Sequence, residues 1–272
     1  MLWAVLAAGL ACQPGSAQID SWTDDELAKY LKRNGVAVGV DRASLWFDSG
    51  ALGPNQMDRF SKLVDRGIAN IDAYLGRSHR GRRKIQYFIS SRVEISHSTA
   101  NSVFLPVDMV RDRTAPYLHE TTHVVAPCDN CPMWFSEGLA SYVQSYVSEH
   151  AGGYDGGVFS QSGNRGINQD ARRWLASDSG QAVAPYIGVA GEPPAVNYDR
   201  SNVAAPFYVM AQSFVGFIVR RAGIEKIRLV FGADDFDAAM LSATGKSAAQ
   251  WKEQWLAELR RQETSRVKKV SH

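Results

Sequence analysis

The stretch 117–142, YLHETTHVVAPCDNCPMWFSEGLASY, constrains this chain more than any other. Prolines divide it into two apolar helical runs. Pro116 suits a first helical turn, and Pro127 stops that helix because proline cannot continue a helix interior. Pro132 then restarts the chain into a second helix over 133–147. A helix, a short turn and another helix fold back on one another, so side chains on the first can be met by side chains on the second. The first carries His119, Glu120 and His123, in the pattern H-E-x-x-H, and the second carries Glu137.

Four residues along a helix return to within about 40° of the same direction and climb about 6 Å. His119 and His123 therefore project from one face and can grip one ion. Glu120 lies beside that face, where it can reach a water on the metal and take its proton without being a ligand. H-E-x-x-H also arises by chance, as two surface histidines on a helix. Here its setting is apolar, with Tyr117, Leu118, Val124 and Val125 around it. The fold-back can also bring Glu137 to the ion as a third protein ligand. Two histidines, one glutamate and a water make an open, four-coordinate zinc site.

This stretch resembles the gluzincin metallopeptidases, and is most similar to the peptidase MA-like set that includes the neutral aminopeptidases. The resemblance implies one zinc ion on His119, His123 and Glu137, Glu120 as general base, and a peptide or protein substrate. It also implies a thermolysin-like core and a tyrosine that stabilises the oxyanion from a later helix. Tyr208, in the run P-F-Y-V-M-A from Pro206, is the first candidate, with Tyr186 and Tyr198 behind it. Ser141 stands where thermolysin-like members carry an aspartate, so the group orienting each imidazole is open among Asp108, Asp112 and Asp129. The strand before the site lacks the Gly-Ala-Met-Glu-Asn element with which the aminopeptidases hold a free amino terminus, which leaves endopeptidase and other amide hydrolase activities equally open.

Two other readings use the same residues. His119, His123, Cys128 and Cys131 form a legal closed structural zinc site. That reading leaves Glu120 and Glu137 without purpose. Alternatively, the chain keeps the peptidase fold as an inactive binding protein.

The remainder supports an α+β fold, with a small mixed sheet first and a helical part after it. Thr23 caps a helix over 24–32, and short strands follow at 36–40 and 44–47. Pro54 opens a long amphipathic helix. Met57, Phe60, Leu63, Val64, Ile68, Ile71 and Leu75 recur at helical spacing, and Gly76 ends it. Strands are expected at 84–90 and 102–107, with 91–101 a polar loop. Pro106 marks the second strand as a sheet edge or its end, and this edge is expected to pair with an extended substrate. Later helices are expected at 169–175, 206–221, 224–231, 235–243 and 247–261, with 176–205 mostly irregular.

The N-terminal run Leu2 to Ala11 is apolar but too short to span a bilayer. Gly15 and Ala17 precede Gln18 with the spacing of a signal-peptidase site, although no Lys or Arg precedes the apolar run. Residues 1–17 are thus expected to be a signal peptide of a secreted or periplasmic protein, with a lipid anchor on Cys12 or a buried N-terminal segment as the alternatives. Residues 18–265 make a single domain, β-rich to about 110, softest at the glycine-rich 152–166. Residues 266–272 form a basic tail. Losing Cys12 with the leader leaves Cys128 and Cys131, a pair suited to a disulfide in an oxidising compartment. The net charge of +2 gives no strong pull toward nucleic acid. The basic run 77–84 reads as a solvated loop, or else as a contact for an anionic substrate or lipid. No later stretch approaches an integral membrane span.

Overall fold

The sheet is built around two parallel crossovers. In the computed structural model, which describes residues 22–76, 83–154, 163–191 and 204–270 (backbone alone for 262–270), five strands run in the order β1-β2-β3-β5-β4. They are β1 (Val36–Gly39), β2 (Ala43–Phe47), β3 (Ile85–Ser90), β4 (His97–Thr99) and β5 (Ser102–Pro106). β2, β3 and β5 are mutually parallel, and β1 and β4 lie antiparallel at the two edges. β2 alternates as half-buried strands do, with Ala43, Leu45 and Phe47 fully buried on one face.

Helix α1 (Asp24–Asn34) begins with a capping box. The Thr23 hydroxyl accepts from Glu26 N at 3.3 Å, and Thr23 N donates to Glu26 Oε2 at 2.9 Å. Its Leu27 and Leu31 cover one sheet face, over Phe88, Val93 and Phe104. The other face is covered by α2 (Pro54–Leu75), the crossover from β2 to β3. Phe60, Val64, Ile68, Ile71 and Leu75 are at most 1% exposed there, and each such burial is worth about 1.5–3 kcal/mol. Gly76 takes φ 60°, ψ 25°, the left-handed conformation that closes a helix and that glycine adopts at least cost.

After α3 (Val107–Arg111) come the two helices of the central stretch, α4 (Tyr117–Val125) and α5 (Met133–Ala151). Then follow α6 (Gly163–Leu175), α7 (Asp178–Val183) with a 3-10 turn at Ala184–Tyr186, α8 (Ala204–Ala222), α9 (Ile224–Arg228), α10 (Phe236–Thr244) and α11 (Ala248–Val270). α8 is apolar almost all round and buried from Pro206 to Val219, as the central helix of a bundle should be. Gly138 on α5 allows α8 to lie close. A Cβ at that position would sit 2.6 Å from the carbonyl oxygen of Ala211 and 2.8 Å from Val215 Cγ2.

Several expectations change. β5 is not an edge strand: it lies between β3 and β4, and Pro106 falls at its end. The edge is β4, inside the segment expected to be a loop. α3 was not foreseen, and α7 with its 3-10 turn occupies part of 176–205, started by the Ser177 side chain, which accepts from Gly180 N at 3.2 Å. α6 starts six residues earlier than expected, and the backbone of α11 stays helical to Val270, into the expected tail. The leader at 1–17, Cys12 and most of the basic run lie outside the described residues. Among the described residues no helix is long and apolar enough to cross a membrane.

Gly138→Ala gains about 1 kcal/mol of helix propensity but forces the new methyl against the backbone of Ala211, which side-chain motion cannot relieve. The net expectation is a loss of about 1–3 kcal/mol in urea unfolding at unchanged m-value. An unchanged or raised midpoint would show that α5 and α8 do not need this contact.

Candidate metal centre

α4 is fixed from below by the sheet. Thr121 is 1% exposed and donates its single hydroxyl proton to the Tyr117 carbonyl. It must therefore accept from Tyr87 OH of β3, which lies 2.5 Å away and is fully buried. Thr122 bonds back to Leu118 O at 2.8 Å in the same way. These contacts turn the apolar side of α4 to the core and leave His119, Glu120 and His123 facing a cleft.

α5 folds back so that Glu137 meets both imidazoles. His119 Nε2 lies 3.0 Å from Glu137 Oε2 and 3.1 Å from His123 Nε2, and His123 Nε2 lies 3.6 Å from the same carboxylate oxygen. Donor atoms around a tetrahedral zinc with bonds near ~2.05 Å stand ~3.3 Å apart, so these spacings suit a single small ion. Among the described residues this is the one group of His, Cys, Asp and Glu donors close enough to hold a metal. The side chains are 12–22% exposed, so an ion there would be largely shielded from water yet reachable.

The Nδ1 atoms are turned toward hydroxyls. Ser136 Oγ lies 3.3 Å from His123 Nδ1, and Ser141 Oγ lies 3.4 Å from His119 Nδ1. Such contacts fix ring orientation and leave Nε2 for the ion. The imidazole partners are thus serines of α5, and not Asp108, Asp112 or Asp129. Ser141 follows Glu137 by one helical turn, so its position on that face was readable, but its role as a partner of His119 was not.

The cleft, about 340 Å³ in volume, is bounded on one side by β4 and its neighbours Ser96 and Ala100, and on the other by the α4–α5 turn. Glu120, 7% exposed, lines it without belonging to the donor group. Tyr208 also lines it, with its ring 6.1 Å from that of His119, while the neighbouring Phe207 is fully buried. Tyr186 is not among the cleft residues, and Tyr198 lies outside the described ones. Cys128 and Cys131 are disulfide-bonded, with Cα atoms 5.2 Å apart. Their sulfurs are spent on each other, which counts against the closed site of two histidines and two cysteines.

No protein-family model matches this chain, and no curated protein matches it.

Burial alone would raise the Glu137 carboxyl and lower the His123 imidazole. The positive charge of His123 and hydrogen bonds from both histidines reverse the first effect and hold Glu137 well below the usual carboxylate range. The charge and hydrogen bond of Glu137, with the charge of Glu120, lift His123 above its ordinary value. In metal-free protein the depressed carboxyl stabilises the fold above its ordinary 4.5 and is lost only in acid. The raised imidazole stabilises it below its ordinary 6.5, and that contribution is lost as pH rises through the higher folded value. Chelator-treated protein should therefore melt at lower temperature as pH is raised above 6.5, and the loss should shrink in Glu137→Gln, which leaves only the charge of Glu120 beside His123. A flat melting temperature over that range would contradict the pairing.

One divalent transition ion is expected per chain by elemental analysis. Glu137→Ala should weaken it at least ~100-fold, whereas Cys128→Ser with Cys131→Ser should retain it. The opposite pattern would restore the closed-site reading.

Proposed function

We propose that this chain is a secreted or periplasmic zinc metallopeptidase of gluzincin type that hydrolyses peptide or other amide bonds. The observation that carries the reading is the separation of roles among four carboxylate and imidazole groups. His119, His123 and Glu137 converge their donor atoms, while Glu120 stands in the same cleft outside that group. A closed structural site needs no such spare carboxylate.

Zinc fits the donor set of two imidazoles and one carboxylate, and when bound it lowers the pKa of a coordinated water to about 7 and polarises a carbonyl. Glu120 is the general base: a buried carboxylate beside the cleft can take a proton from the attacking water and return it to the leaving amine. Tyr208 donates its phenolic hydrogen to the oxyanion that forms as the carbonyl is attacked. β4 supplies the substrate's backbone contact. Among the described residues it pairs only with β5, through His97, Ser98 and Thr99, and it borders the cleft. An extended peptide adding to that edge passes beside the donor cluster. This moves the expected substrate edge from 102–107 to 97–99.

The test is metal analysis joined to a peptide-library cleavage assay. Glu120→Gln should keep its zinc and lose cleavage by more than ~10³-fold. Tyr208→Phe should lower kcat about 100-fold with a small change in KM. Undiminished cleavage by Glu120→Gln, or a zinc-loaded wild type that cuts no library member, would refute the peptidase reading.

A further inference from the structure

The turn joining the two metal-binding helices carries a charge that the proposed chemistry does not use. Cys128 and Cys131 close a four-residue ring, with Cys131 N donating to Cys128 O at 3.1 Å. Asp129 is the second residue of that turn. It is exposed, it lines the same cleft as His123 and Glu137, and no ion pair joins it to a described residue.

Apart from its histidines and Tyr208, the ionisable side chains lining the cleft are all carboxylates. Its carboxylates are Glu120, Glu137 and Asp129, and no Lys or Arg lines it among the described residues. Glu137 is engaged by both imidazoles and Glu120 is the base, so Asp129 is the one carboxylate lining the cleft that is left to face a substrate. A disulfide and a backbone hydrogen bond on its own turn limit where its carboxylate can go. A positioned charge loses less entropy on pairing than one on a free loop.

We infer that Asp129 is a specificity residue selecting substrates with a positive charge near the bond to be cut, either the ammonium or guanidinium of a Lys or Arg side chain or a free amino terminus. The inference rests on the peptidase reading and deepens it. Aspartate also serves a turn, through hydrogen bonds that its side chain accepts from nearby backbone. Asparagine serves a turn equally well, so Asp129→Asn removes the charge and leaves the turn chemistry intact.

The experiment uses zinc-loaded full chain and acetyl-capped peptides that differ only in Lys, norleucine or Glu beside the cleaved bond. A second series carries norleucine with a free amino terminus. Wild type should bind the Lys peptide with KM about fivefold below its norleucine twin, the size of one exposed ion pair. Asp129→Asn should level the two, and Asp129→Lys should favour Glu. A preference confined to the uncapped series assigns Asp129 to the amino terminus; one confined to the capped series assigns it to side chains. Equal KM for all peptides in wild type, or a Lys preference that survives in Asp129→Asn, would overturn the inference. Should wild type cut none of them, the peptidase reading fails first. The inference is then read from fluorescence anisotropy of the same labelled peptides on zinc-loaded Glu120→Gln, with and without Asp129→Asn, where equal affinities would overturn it.

Discussion

A carboxylate held between two imidazoles, away from most of the water, is the constraint on which this structure turns. Removing a charge from water costs several kcal/mol, and the cost is recovered only if opposite charge and hydrogen bonds replace the lost hydration. Glu137 has two Nε2 atoms within 3.6 Å and is 14% exposed. Without an ion, a proton on an imidazole must supply the balancing charge, which is why the carboxyl falls and His123 rises. An ion among the three donor atoms supplies it better and relieves the close approach of two imidazole nitrogens.

The packing around the centre follows from that requirement. Three helices must hold their positions relative to one another, and each is fixed by a different contact. α4 is pinned to the sheet through Tyr87 and Thr121. α5 is brought round by the Pro-bounded, disulfide-closed turn. α8 is drawn in because Gly138, next to Glu137 in sequence, has no side chain to hold it off. Gly138 is thus a packing device that lets Tyr208 reach the cleft. The serines beside the imidazoles fit the same logic. Hydroxyls orient a ring without adding charge, and the site already holds Glu120 and Glu137. Aspartates in place of Ser136 and Ser141 would deepen the negative charge that burial penalises.

Those parts of the fold whose signal is local were legible. α2 runs from Pro54 to Leu75 because its apolar spacing, its proline start and its glycine stop all agree, and each is decided within a few residues. The same holds for α1 and for the helix pair α4 and α5 that carries the donor group. β4 was not legible, because three polar residues, His97, Ser98 and Thr99, become a strand only by pairing with β5, and no periodicity in three residues announces it. Pro106 misled for a related reason: a proline that ends an inner strand and one that marks an edge look alike in sequence. α7 has six residues and a cap, too few for any pattern. At the site, H-E-x-x-H and Glu137 were readable because one helix and one fold-back set them. The serine contacts were not, since they depend on which way α5 rotates once it has packed against α8.

Donor count separates a centre that acts from one that only holds the fold. A structural zinc site gains its stability from four protein ligands and offers nothing to solvent. Here the described residues contribute three donor atoms, two candidates for the fourth are removed by forming a bond with each other, and the centre opens onto a cleft. Three ligands hold an ion less tightly than four, so a chain stabilised by metal alone would have no reason to give up the fourth. The disulfide braces the turn by itself, so an ion among the three donors would not be needed to hold that turn, and its fourth position would face the cleft that Glu120 also lines.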